Sequence, residues 1–196
     1  MLSSVRILAP IFSALAIIGH AHPALAAEEL QGGSHPLVTN DVGMIHAGYS
    51  TGFGDSTSGP RLQGNYFHRL NQSVWLDMQM AVVSQGCNFN PTACKSGYST
   101  IVDIAVGAVW QFQTNSPIVP YVKVDAGPLF MFPQNKHGAI GILVRGGLGV
   151  HYYFWRWLGV GAEVTGAGGI AFIGLDGRDV SGVGDMSATA GLALRY

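Results

Sequence analysis

Residues Ala139 to Phe154 alternate without interruption between two kinds of side chain. Even positions carry Ile140, Ile142, Val144, Gly146, Leu148, Val150, Tyr152 and Phe154. Odd positions carry glycine, Arg145 and His151 among others. A period of two is the mark of a β-strand whose faces meet different surroundings. At about 3.3 Å per residue this run spans roughly 53 Å, far beyond the common five- or six-residue strand. Such a length suits a tilted strand that crosses a bilayer and continues above it.

The pattern recurs along the chain. Ser73 to Ser84, Ser99 to Gln113, Val119 to Phe130, Leu158 to Ala171 and Asp185 to Tyr196 each set apolar even positions against small, polar or charged odd positions. Arg61 to Leu70 repeats it more weakly. Asp41 to Thr51 completes a set of eight, but Gly43, Ile45, Ala47 and Tyr49 compete with Val42 and Met44, so its faces stay unassigned. Eight is even, as bacterial single-chain barrels require. Short connections at Asn71-Gln72, Thr114 to Ile118 and Trp155 to Trp157 alternate with longer glycine-rich ones at Gly52 to Pro60, Gln85 to Tyr98, Met131 to Gly138 and Phe172 to Gly184. The reading is an all-β, eight-stranded antiparallel up-and-down transmembrane β-barrel over 41–196, with short periplasmic turns opposite longer surface loops.

Charge and aromatic placement agree with that sidedness. Arg61, Arg69, Asp77, Asp103, Lys123, Asp125, Arg145, Glu163, Asp185 and Arg195 all fall on the non-apolar face, five of each sign. A lipid-facing Arg or Lys costs about 2–4 kcal/mol at midplane, whereas opposite charges in a narrow interior can pair. These residues are therefore expected to form a charge network in the lumen. Trp110, Phe112, Tyr152, Phe154, Trp155, Trp157 and Tyr196 gather at the periplasmic strand ends, where a ring is buried with its polar edge wet. A soluble barrel of lipocalin type would invert the faces and need no such girdle.

The first 26 residues read as a secretory signal: Arg6, an apolar Ile7 to Ile18, and the small-x-small site Ala24-Leu25-Ala26. Residues 27–40 read as a periplasmic lead-in. Charged residues are only 11% of the 196 and the net charge is -1, which excludes a nucleic-acid binder. Export to an oxidising compartment predicts a disulfide between Cys87 and Cys94 in the second long loop.

No motif announces chemistry. His35, His46, His68, His137 and His151 match no metal-ligand spacing, and neither a metal nor a cofactor is expected. His151 and Glu163 are the one pair close enough in register to consider for acid–base work. The acidic Leu175-to-Asp185 loop reads as a hydrated loop rather than a calcium site. Glycines at odd positions, including Gly107, Gly147, Gly149 and Gly161, read as space left for Tyr121, Arg145 and Trp75 in an interior only wide enough for side chains.

Two runs resemble known proteins. Met186 to Tyr196, with Leu192, Leu194 and the final aromatic Tyr196 in alternation, looks like the terminal strand that the barrel-assembly machinery reads in outer-membrane proteins. Pro120-Tyr121-Val122-Lys123-Val124-Asp125-Ala126-Gly127 resembles a strand common in small barrels of the OmpA/OmpX-like superfamily. The resemblance implies a bacterial outer-membrane location, with lipid or lipopolysaccharide around the barrel and the assembly machinery as partner during biogenesis. It also implies a structural or surface-presenting role with an unspecified ligand for the loops. Outer-membrane lipid A deacylases are eight-stranded barrels too, but they rely on a His-x-Ser pair, and no histidine here has serine two residues on. A non-enzymatic protein is expected. A lipid-modifying enzyme and a narrow conduit for a small hydrophobic molecule are the alternatives.

Overall fold

The computed structural model describes residues 40–54, 56–84, 98–112, 114, 116–133, 138–173 and 179–196. The signal segment, most of the lead-in, Cys87, Cys94, His35 and His137 lie outside the described residues. Eight strands follow in order: β1 (Asp41–Gly54), β2 (Gly59–Arg69), β3 (Val74–Ser84), β4 (Tyr98–Gln111), β5 (Ile118–Pro133), β6 (Ala139–Tyr153), β7 (Leu158–Ile173) and β8 (Asp179–Arg195). Each pairs antiparallel with the next, and β8 returns to β1, so the sheet closes without an edge. The closing seam is long, running from Val42↔Arg195 to Gly54↔Val183. Closure satisfies every strand laterally, which a membrane interior without water demands.

The tight turns have local causes. Asn71 Oδ1 accepts the backbone N–H groups of Ser73 and Val74 at 3.0 and 2.9 Å, folding β2 back onto β3. Between β1 and β2, Gly54 takes a φ of 66°, which a side chain resists.

At the other end the strands run past their expected limits. β1 reaches Gly54 rather than Thr51, β5 reaches Pro133, and β8 starts at Asp179 rather than Asp185. Gly52↔Asp185, Phe172↔Val180 and Ile173↔Asp179 pair in that extension. Above the hydrocarbon the outward face need not be apolar, so alternation fades while the ladder continues. Three of the four connections there are consequently shorter than their glycine content implies.

The faces of β1 are now assigned: Val42, Met44, His46 and Ser50 point inward and are buried, while Ile45, Ala47 and Tyr49 are exposed. Across the barrel the outward residues are chiefly Ile, Val, Leu, Met, Ala, Gly and aromatic residues, exemplified by Leu148 at 65% exposure. On β7 they run from Val160 to Phe172, a vertical rise of about 30 Å at 3.3 Å per residue and the usual tilt. That matches a bilayer's hydrocarbon core. Beside the turn-end girdle, Tyr49, Phe53, Phe132 and Phe172 form a second exposed aromatic girdle at the loop end.

The interior is layered. At the turn end Val42, Met44, Phe67, Trp75, Val109, Tyr121, Tyr153 and Ala193 pack together. At the loop end Val83, Ile101, Leu129, Met131, Ala139, Leu143, Ala171 and Val183 form a second apolar cluster. The expected polar plug fills only the zone between them. An eight-stranded lumen admits side chains and little else, and near its two mouths apolar packing costs less than burying more charge.

Candidate functional site

The middle layer is a closed ring of ion pairs and hydrogen bonds. Arg61 Nη2 on β2 stands 3.4 Å from Asp103 Oδ2 on β4. Arg145 on β6 donates from Nη2 to Asp103 Oδ1 at 2.8 Å and from Nη1 to Asp125 Oδ1 at 3.4 Å. Lys123 Nζ on β5 lies 3.4 Å from Asp125 Oδ2, 2.9 Å from Asp77 Oδ2 and 3.5 Å from Glu163 Oε2. Gln63 Nε2 donates to Glu163 Oε1 at 3.0 Å, and Arg61 Nε donates to Gln63 Oε1 at 3.0 Å, which completes the circuit.

Three cations face four carboxylates, leaving a surplus of one negative charge. Neutral donors serve the excess. Asn65 Nδ2 donates to Asp77 Oδ1 at 3.3 Å, and the Tyr121 hydroxyl donates to Glu163 Oε2 at 2.9 Å. Gln79 accepts from Lys123 and from Asn65. Burying one ion unpaired costs several kcal/mol, so a ring in which each charge has an opposite neighbour is the tolerable form of an ionic interior.

Beneath the ring lies an aromatic layer. His151 lies tilted at 38° against Tyr121, ring centroids 4.6 Å apart, and meets Tyr153 edge-on at 5.8 Å. Arg195 holds its guanidinium carbon 3.5 Å from the centre of the Tyr153 ring. His46 is fully buried with both ring nitrogens unpartnered, and it approaches His151 over Gly161, where an added Cβ would lie 3.0 Å from each ring.

Of the ten charged residues expected inside, Arg61, Asp77, Asp103, Lys123, Asp125, Arg145 and Glu163 meet in the ring. Asp185 stands half-buried toward the loop end, and Arg195 belongs to the aromatic layer. Arg69 does not join them: it sits at the last β2 pair, and its Nε donates to the Asn71 carbonyl in an exposed turn. An odd position at a strand's end overlooks the turn rather than the lumen. Leu192, Leu194 and Tyr196 all face outward. Tyr196 lays its ring beside Gly43, and its N–H donates to the Asp41 carbonyl at 3.2 Å.

The charge list overlooks Gln63, Asn65, Gln79 and Tyr121, which bond to the ring's charged members. Their inward odd positions are the signal that finds them. His151 and Glu163 are each bonded elsewhere: Glu163 is engaged by Gln63, Tyr121 and Lys123, while His151 Nδ1 faces the Tyr153 hydroxyl at 3.4 Å. Among the described residues no group of three His, Cys, Asp or Glu is placed to hold a metal ion.

Solved structures share this architecture. The chain is similar to neisserial surface protein A, with a TM-score of 0.62 at 14% identity, covering 81% of this chain and 98% of that one. It is likewise similar to the N-terminal β-barrel domain of Pseudomonas aeruginosa OprF, with a TM-score of 0.55 at 17% identity and the same coverage. At such identities the likeness establishes a common fold: the closed, eight-stranded, antiparallel barrel. No family model matches the sequence, and no curated protein matches it.

Proposed function

We propose that this protein is an integral barrel of a bacterial outer membrane, acting as a non-catalytic structural scaffold that presents its loops at the cell surface. One observation carries the reading: a desolvated ionic ring sealed between two apolar clusters inside a wall whose outside is apolar. Such a molecule is stable only with hydrocarbon around it, and its filled axis gives solutes no aqueous path. The rigid cylinder then serves to hold the segments between strands in adhesion, envelope integrity or host contact. Lipopolysaccharide around the loop end and the barrel-assembly machinery during biogenesis are the partners this reading entails.

The test is cell fractionation with electrophoresis of heated and unheated samples, followed by planar-bilayer recording. The expected result is an outer-membrane protein that shifts in mobility on heating and passes no current steps. A heat-insensitive periplasmic protein, or reproducible unitary conductance, would overturn it. Deletion of residues 85–97, assayed for cell adhesion and detergent sensitivity, separates a surface role from a purely structural one.

A further inference from the structure

We infer that the outer wall of β6, β7 and β8 at the turn end holds one anionic glycerophospholipid of the inner leaflet. The inference rests on the membrane orientation proposed above. Two adjoining concavities mark the place. The first, of about 550 Å3, is lined on the wall by Val150, Tyr152, Val160, Ala162, Ala190 and Leu192. Register explains its shape. Val150, Ala162, Ala190 and Ala47 lie in one lateral row, while Tyr152, Val160, Leu192 and Ile45 form the row below and Leu148, Val164, Ala188 and Tyr49 the row above. Ala162 and Ala190 therefore floor a trough beside the bulkier Tyr152, Val160 and Leu192. An unfilled trough forfeits dispersion contacts with its walls, and a flexible acyl chain is the neighbour able to follow it.

The second concavity, of about 360 Å3, begins three residues beyond the Tyr152↔Val160 pair and is lined by Trp155, Arg156 and Trp157. The two indoles stack with centroids 5.8 Å apart and planes at 18°, and both are more than half exposed. Arg156 forms no ion pair with any described residue. It is also the one charged side chain carried by the turn that joins β6 to β7. A guanidinium recognises phosphate with two parallel N–H bonds, and tryptophans sit at headgroup depth. Charge thus chooses the headgroup and the trough receives a tail. Because every lipid tail is already in hydrocarbon, preference among lipids comes from Arg156.

Native mass spectrometry of the full-length protein in mild detergent, titrated with phosphatidylglycerol, phosphatidylethanolamine or lipid A, tests this. One phosphatidylglycerol adduct is expected, favoured over phosphatidylethanolamine by about fivefold. Arg156→Gln abolishes the preference but leaves residual binding. Ala190→Phe, which fills the trough from outside, removes the adduct while the heat-shifted band persists. Arg69→Gln, a cation at another turn, changes nothing. Equal binding of the two phospholipids, an unchanged Arg156→Gln, or stronger capture of lipid A overturns the inference with the barrel reading intact. A protein that stays soluble without detergent overturns both.

Discussion

Tyr121 reaches across the full width of β6 to donate its hydroxyl hydrogen to Glu163 at 2.9 Å. The register puts Tyr121 opposite Gly149 and Gly149 opposite Glu163, so the intervening residue must have no side chain. A Cβ at Gly149 would collide with Cζ and the hydroxyl oxygen of Tyr121, far inside van der Waals contact. Gly149→Ala is therefore expected to displace the ring, strip Glu163 of a donor and destabilise the barrel by about 1–3 kcal/mol. Gly166→Ala, which meets nothing within 4 Å, is the control. Unfolding of the two variants in detergent by guanidinium checks the difference, and equal midpoints would contradict the geometry.

Arg145 is fully buried between Asp103 and Asp125. Arg145→Gln raises the ring's carboxylate surplus from one to two in a buried space, and a loss of about 3–5 kcal/mol is expected. Arg69→Gln removes only an exposed turn contact and is expected to cost less than about 1 kcal/mol. If the two variants unfold at the same denaturant concentration, the ring is hydrated and the lumen is not the dry plug described.

The alternation was legible wherever one solvent dictated one face. From β3 to β8 the bilayer requires an apolar side chain at nearly every outward position, and the faces follow by counting. β1 defied counting because Val42 and Met44 line the lower apolar cluster, so near its start both faces are oily. The same cause hid Phe67 and the upper cluster. That charges turn inward could be read from parity; which charge meets which could not. Asp103 and Arg145 are 42 residues apart and meet only because two registers, β4 with β5 and β5 with β6, bring them to one level. Loop lengths were overstated because glycine and serine also populate strands that have risen clear of hydrocarbon, as Ser181, Gly182 and Gly184 do.

Asp41 ties the seam to its neighbour. Its Oδ1 accepts from the Tyr66 hydroxyl at 2.6 Å and contacts His68 Nδ1 at 2.8 Å, while its carbonyl accepts from Tyr196 N–H. Asp41→Ala removes the side-chain bonds but keeps the backbone one. An expected loss of about 0.5–1.5 kcal/mol follows from the half-buried Tyr66 bond that is removed. Resistance of the unheated barrel to detergent at rising temperature measures it, and a wild-type profile would show that the backbone ladder alone secures the seam.

Leu148 points outward near the middle of the outward band of β6 that runs from Ile140 to Tyr152. An arginine there must carry its charge into hydrocarbon, at about 2–4 kcal/mol, whereas near the interface the cost falls to about 0–1 kcal/mol. Leu148→Arg is thus expected to lower folding free energy in lipid vesicles far more than Val180→Arg, which stands at the loop-end rim opposite Phe172. The comparison holds chemistry constant and varies only depth. In a barrel surrounded by water the order vanishes, because both arginines are then hydrated and Leu148→Arg relieves an exposed apolar patch. Equal refolding yields for the two variants would therefore remove the bilayer from the account, and with it the reason that seven charges turn inward to a common ring.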